Sequence, residues 1–291
     1  WHTVLAGALG RGGQSIFALD VTNPAQFDES NADSLFLWEF DDSDDADLGY
    51  TFSEPSIAKM EDGRWVAIFG NGYNNTEADG NASTTGHAVL YIVDVGTGAL
   101  IKKIDTGIGS IATPNGLATP ALVDVNNDYI VDYVYAGDLY GNMWKFDVTS
   151  SNPVSWDVAW VNGADKKPLF TTASGQSITT RPSVGLHQEG DGVMVYFGTG
   201  KYIEKSDNNS VSEPDQSFYG IWDKHESSAS GLPVLPSELL LQTIDHEFSA
   251  TFSGNAFRLR ITSDNAPDWS SHEGWKIDLV NRNLSPVDNN G

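Results

Sequence analysis

The sequence contains no cysteine and only three methionines in 291 residues. A disulfide framework, a thiolate-held metal and a cysteine nucleophile are therefore excluded, and stability must come from packing or from metal held by oxygen. Basic residues are scarce: 16 Lys and Arg stand against 40 Asp and Glu, a formal net charge of −24. Duplex binding depends on cationic side chains displacing counterions from phosphate. An excess of negative charge this large repels nucleic acid and anionic membrane surfaces alike. No apolar run approaches the roughly 20 residues of a membrane-spanning helix. The chain opens on Trp1 with no basic-then-apolar leader, which suggests an excerpt or processed form of a longer polypeptide.

Core-forming residues are plentiful. Apolar residues make up 40% of the chain and aromatics 11%, more than a disordered acidic segment carries. Helical periodicity is rare. Short runs of Val, Ile, Phe, Tyr and Trp bounded by Gly, Asn, Asp and Pro recur instead, which predicts an all-β chain of many short strands.

The strands repeat. Three segments open alike, FSEPSI (52–57), LATPAL (117–122) and TTRPSV (179–184). Each is followed by an apolar strand ending in glycine: WVAIFG (65–70), DYVYAG (132–137) and MVYFG (194–198). A third strand then closes on aspartate, at Asp94, Asp147 and Asp223, and a less regular fourth follows, as in 99–104 or 239–244. Four antiparallel strands per unit, recurring every sixty-odd residues, describe the blades of a β-propeller. TVLAG (3–7) and SIFALD (15–20) fit the second and third strands of a partial blade over 1–50. Complete blades are expected at about 51–110, 111–175 and 176–245, and FRLRIT (257–262) and GWKIDL (274–279) suggest another partial blade over 246–291. Propellers commonly have four to eight blades, so residues 1–291 are expected to be a single propeller domain or a fragment of a larger ring.

The sharpest chemical signal is the loop between the first two strands of the middle repeat, DVNNDYIVD (124–132). Oxygen-bearing side chains fall at its positions 1, 3, 5 and 9: Asp124, Asn126, Asp128 and Asp132. Ca²⁺ takes six to eight oxygens at roughly 2.4 Å, and a tight loop turns every second side chain inward. Ile130, at position 7, would add its backbone carbonyl. Such loops usually carry glycine at position 4 or 6, where the backbone turns with positive φ; here Asn127 and Tyr129 stand there. The matching loops of the other repeats lack the pattern, so one calcium site is expected.

Other motifs fall short. The acidic run 41–47 is expected to be a solvated loop, and the strand-closing Asp20, Asp94, Asp147 and Asp223 to cap turns. FGTGK (197–201) lacks the first glycine and the final Ser/Thr of a phosphate loop. The six histidines show no zinc-binding spacing, and no nucleophile elbow occurs. No catalytic residue is assigned.

The blocks GQSIFALDVTNP, DLGYTFSEPSIAKMEDGRWVAIFGNGYN, GHAVLYIVDVGTGALI, PNGLATPALVDVNNDYIVDYVYAGDLYGNMWKFD, ITTRPSVG, MVYFGTGKYIE and QSFYGIWD follow one another in an order that resembles the C-terminal propeller of the PilY/PilC-type type IV pilus assembly and tip-adhesin proteins. They cover Gly10 to about Asp223. The resemblance implies an exported protein of the periplasm, outer surface or pilus tip of a bacterium, with a missing N-terminal region that is often von Willebrand A-like. It implies pilins or minor pilins, and host or abiotic surfaces, as partners, and roles in pilus extension against retraction, twitching motility, attachment and virulence. Its calcium loop matches Asp124, Asn126, Asp128, Ile130 and Asp132. The Arg-Gly-Asp triplet used by one member for integrin contact does not occur in this sequence.

Two alternatives compete with a non-enzymatic calcium-binding pilus module. A quinoprotein-like dehydrogenase propeller would repeat an Asp-x-x-Thr-Gly element that occurs here once, at 94–98, and would carry vicinal cysteines, which are absent. An integrin-like FG-GAP propeller would use a similar calcium loop for stiffening alone.

Overall fold

The computed structural model describes residues 1–162, 165–173, 175–208 and 214–280. The chain folds as a β-propeller. Its first sheet has three strands, β1 (Val4–Ala8), β2 (Ser15–Asp20) and β3 (Phe36–Asp41), in that order. Blade 1 runs β4 (Ser56–Lys59), β5 (Trp65–Gly70), β6 (His87–Asp94) and β7 (Leu100–Gly109), each antiparallel to the next. Blade 2 runs β8 (Ala121–Val123), β9 (Tyr133–Gly137), β10 (Asn142–Asp147) and β11 (Asp157–Val158). After a small hairpin of β12 (Trp160–Asn162) with β13 (Asp165–Lys167), the short β14 (Phe170–Thr171) also pairs with β10.

Blade 3 begins with β15 (Ser183–Leu186), β16 (Val193–Gly198) and β17 (Ser217–Asp223). Its outer half departs from the expected pattern. The next segment, β18 (Leu240–Gln242), lies at the sheet's outer edge, and β19 (Ile244–Phe252) and β20 (Asn255–Thr262) form a separate two-stranded hairpin. The chain then returns as β21 (Gly274–Asp278), antiparallel to β17 and parallel to β18. GWKIDL is therefore the fourth strand of blade 3, not part of a further blade over 246–291, and FRLRIT belongs to the hairpin. The return is held by Trp275, which lies over Gly220; a Cβ at Gly220 would fall 2.8 Å from the indole. Glycine at the centre of FYGIWD thus makes room for the strand that closes the blade.

The blades pack face to face, which explains why strands such as HAVLYIVD are apolar at successive positions rather than alternately. Side chains two apart share a sheet face, and here both faces are covered. Ile68, Leu90 and Ile92 of blade 1 meet Val134, Ala136, Trp144 and Phe146 of blade 2 in one core cluster. The intervening Ala67, Phe69, Tyr91 and Val93 point the other way and pack on Ile16, Ala18, Trp38 and Phe40 of the first sheet. A third cluster joins Tyr135, Met143 and Trp160 of blade 2 to Val195, Phe197, Tyr219 and Ile221 of blade 3.

The acidic run 41–47 is more ordered than a solvated loop. Asp45 and Asp47 both reach the Lys103 ammonium at 2.7 Å. Asp45 also accepts from the Tyr91 hydroxyl at 2.9 Å, and Asp47 from the Thr85 hydroxyl at 2.8 Å. The Asp-x-x-Thr-Gly element is a turn: the Asp94 carboxylate accepts from the Gly96 and Thr97 backbone N–H groups and closes β6 onto β7.

Candidate metal loop and the seam behind it

The nine-residue loop 124–132 hangs between β8 and β9, whose pairing Val123↔Tyr133 brings its ends together. Asp132 N–H donates to the Val123 carbonyl at 2.9 Å, and the Asp132 carbonyl accepts from Val148 at 3.0 Å. Val131 is buried in the core cluster between blades 1 and 2, and its N–H donates to Lys59 of blade 1 at 3.1 Å. A buried apolar residue beside an acidic one thus pins the loop's second half.

Within the loop each of the oxygen-bearing side chains accepts from loop backbone. Asp124 Oδ1 accepts from the backbone of Asn127 at 2.6 Å and of Asn126 at 3.2 Å, and Oδ2 from Tyr129 at 2.7 Å. Asn126 Oδ1 accepts from Asp128 N–H at 2.9 Å, Asp128 Oδ1 from Ile130 N–H at 2.8 Å, and Asp132 Oδ2 from Val125 N–H at 2.8 Å. The missing glycines are accounted for: Asn127 (φ 63°) and Tyr129 (φ 67°) themselves adopt the left-handed conformation, and the Tyr129 ring points to solvent at 90% exposure. Asparagine tolerates this region well; tyrosine holds it at a cost.

The electrostatics differ along the loop. At Asp124 the upward pull of desolvation is outweighed by the backbone donors of Tyr129, Asn127, Asp128 and Asn126, which hold its carboxyl below the ordinary value. Asp132 is pushed up, first by burial and further by the negative charges of Asp128 and Asp124. The loop's oxygen groups are three carboxylates, the Asn126 amide and the peptide carbonyls, the donor types that a hard divalent cation takes. Among the described residues no three His, Cys, Asp or Glu side chains are gathered closely enough to form a metal cage by themselves. The three loop carboxylates Asp124, Asp128 and Asp132 are therefore not brought together as a cage.

The sequence reading overlooked what lies behind the loop. Lys145 of β10 stands between the buried Trp144 and Phe146, and its side chain is 3% exposed. Its ammonium meets Asp223 at 2.7 Å across the seam between blades 2 and 3, where the Asp223 side chain is 1% exposed. The Tyr135 hydroxyl donates to Asp223 at 2.6 Å. Burial pushes the Lys145 ammonium down from its ordinary value, against the upward pull of Asp223. Asp223 does cap a turn, accepting from His225 N–H at 2.8 Å, as Asp20, Asp94 and Asp147 do at Thr22, Gly96 and Thr149. Its greater part is in the buried ion pair. The one available signal was Lys145 itself, since a lysine inside a strand buried on both faces needs a partner.

Blades of three to five strands packed around shared apolar seams, with an acidic loop on blade 2, define a β-propeller domain carrying a candidate cation site. The model of the PilY1 β-propeller domain matches residues 1–256. A type IV pilus biogenesis factor PilY1 of Pseudomonas aeruginosa is 36% identical over 306 residues, covering 96% of this chain and 25% of that protein. A PilY1 homolog of Xylella fastidiosa is 38% identical over 298 residues, covering 98% of this chain and 19% of that protein. The crystal structure of the P. aeruginosa PilY1 C-terminal domain superimposes with a TM-score of 0.82 at 35% identity, covering 97% of this chain and 59% of that one. The chain belongs to the PilY1 β-propeller family, and it spans a quarter or less of the length of these curated relatives.

Proposed function

We propose that this chain is the non-enzymatic, calcium-binding propeller of a type IV pilus assembly and tip-adhesin protein, acting at the bacterial cell surface, pilus tip or periplasm. The observation that carries the reading is the loop 124–132, with oxygen side chains at alternate positions and left-handed backbone at Asn127 and Tyr129. Asp124, Asn126, Asp128 and Asp132 would supply side-chain oxygens and Ile130 its carbonyl. A bound Ca²⁺ would neutralise the carboxylates that otherwise repel one another and stiffen the loop between β8 and β9. The surface so ordered would engage pilins or minor pilins, and through them influence extension, twitching and attachment. Kinship with pilus biogenesis factors supports the pilus setting.

The test is calcium titration of this chain by calorimetry and thermal unfolding. A ligand at 100 times its Kd stabilises the folded state by about 2.7 kcal/mol. Calcium should therefore raise the melting temperature, and Asp132→Ala should abolish the rise. A variant that binds calcium as tightly as the parent overturns the site. In cells, loss of twitching and attachment on Asp132→Ala supports a regulatory site. Unchanged motility with lost calcium binding assigns the loop a purely structural role.

A further inference from the structure

The residue after the last loop carboxylate leads directly into the seam. Tyr133 opens β9, and its neighbours in the sheet are Val123, at the loop's other end, and Asp147 of β10. Its ring receives the Lys145 ammonium at 4.1 Å from the centroid and stacks on His225 of the blade 3 side at 5.0 Å and 18°. His225 also meets Lys145, Nδ1 to Nζ at 2.8 Å. One polar and aromatic cluster therefore runs from Asp223 and His225 through Lys145 to Tyr133, and the chain's next atoms are those of Asp132.

His225 makes these contacts from a left-handed backbone, φ 55°. A non-glycine residue held there is strained and persists only where its surroundings dictate it. Here the Asp223 cap on its N–H and the flat contact with Tyr133 hold it.

We propose that Tyr133 and His225 are positioning residues for the cation loop: their stack, clamped by Lys145 and Asp223, sets the placement of Asp132, so that cation affinity and the tightness of the blade 2–blade 3 seam are linked. This rests on the calcium reading of the loop and adds its regulation. Linkage is reciprocal. If the seam favours binding, binding must tighten the seam, and anything that pulls blade 3 from blade 2 must weaken binding.

The experiment uses the whole 291-residue chain with Ca²⁺ as the probe. Tyr133→Leu and His225→Gly remove the stack, the latter while relieving the backbone and keeping the capped N–H; Tyr133→Phe keeps the ring. Tyr133→Leu and His225→Gly should each weaken calcium binding about 5-fold or more, within the usual range of coupling between sites, and Tyr133→Phe should bind as the parent does. Saturating calcium should slow amide hydrogen exchange over residues 217–225 in the parent and not in His225→Gly. The exchange measurement on the parent stands even if a variant fails to fold. Parental affinity in both stack-breaking variants, or unchanged exchange over 217–225 on binding, overturns the linkage alone. A parent that binds no calcium overturns the linkage and the loop reading together.

Discussion

Removing either partner of the Lys145–Asp223 pair tests the seam most directly. Lys145→Met leaves the Asp223 carboxylate 1% exposed, with the Tyr135 hydroxyl at 2.6 Å, the His225 N–H at 2.8 Å and the His225 imidazole Nδ1 at 3.7 Å beside it but no lysine charge to compensate it. Asp223→Leu leaves the ammonium against the rings of Tyr133 and Trp160, at 4.1 and 5.1 Å, which favour a cation but do not replace a counter-charge. Breaking a buried pair from one side costs about 3–5 kcal/mol, because a desolvated charge is stranded. At about 2 °C per kcal/mol for a chain of this size, that is a fall of roughly 6–10 °C in melting temperature for either variant. The double variant, with no charge left to strand, should be less destabilised than the more damaged single one. Urea and thermal unfolding of the four proteins provide the cycle. Single losses below about 1 kcal/mol, or a double loss equal to the sum of the two, would refute the argument that the stranded charge dominates.

Two further outcomes follow from other parts of the fold. At Asp47 burial pushes the carboxyl up, but bonds from Lys103, Ser83 and Thr85 outweigh it and leave the pKa below its ordinary 3.8. Lys103 is held above its ordinary 10.5 by the two aspartates, against burial. A depressed carboxyl adds stability above its unfolded pKa and loses it as pH falls through the folded one, whereas a raised ammonium adds stability that disappears at high pH. The melting-temperature gap between the parent and Lys103→Met should therefore be present at pH 5–9, narrow below about pH 4 and narrow again above about pH 10.5; a gap constant from pH 3 to 7 contradicts it. Gly70→Ala should destabilise by about 1–3 kcal/mol or more, because the added Cβ would lie 2.4 Å from the Leu117 carbonyl at the junction of blades 1 and 2; a melting temperature within 1 °C of the parent, roughly half a kcal/mol or less, would show that the junction yields.

Much of this was legible along the chain because it is local. Strand and turn chemistry repeats every sixty-odd residues, and FSEPSI, LATPAL and TTRPSV each announce a first strand. The alternation of oxygen side chains over 124–132 is likewise a property of neighbouring residues, and the structure adds that Asn127 and Tyr129 take the left-handed turns themselves. GWKIDL was misplaced because a returning strand looks like any other in sequence. Only its pairing with Ser217–Ile221 and the fit of Trp275 over Gly220 assign it to blade 3. The acidic run 41–47 read as solvated because Lys103, which pairs with two of its carboxylates, lies more than fifty residues away.

By itself the sequence determined the all-β class, the blade repeat, the oxygen-only chemistry of the loop and the kinship that its ordered motifs carry. The class, the repeat and the loop pattern depend on periodicity and spacing and the kinship on the identity and order of the motifs, all of which the covalent chain already contains. The tertiary structure alone decided which strands close blade 3, which charges are buried, and that Tyr133, Lys145, Asp223 and His225 meet behind the loop. Residues roughly eighty to ninety apart are brought together only when two blades bury their apolar faces against each other. A lysine and an aspartate become a strong pair only where that burial has removed the water between them.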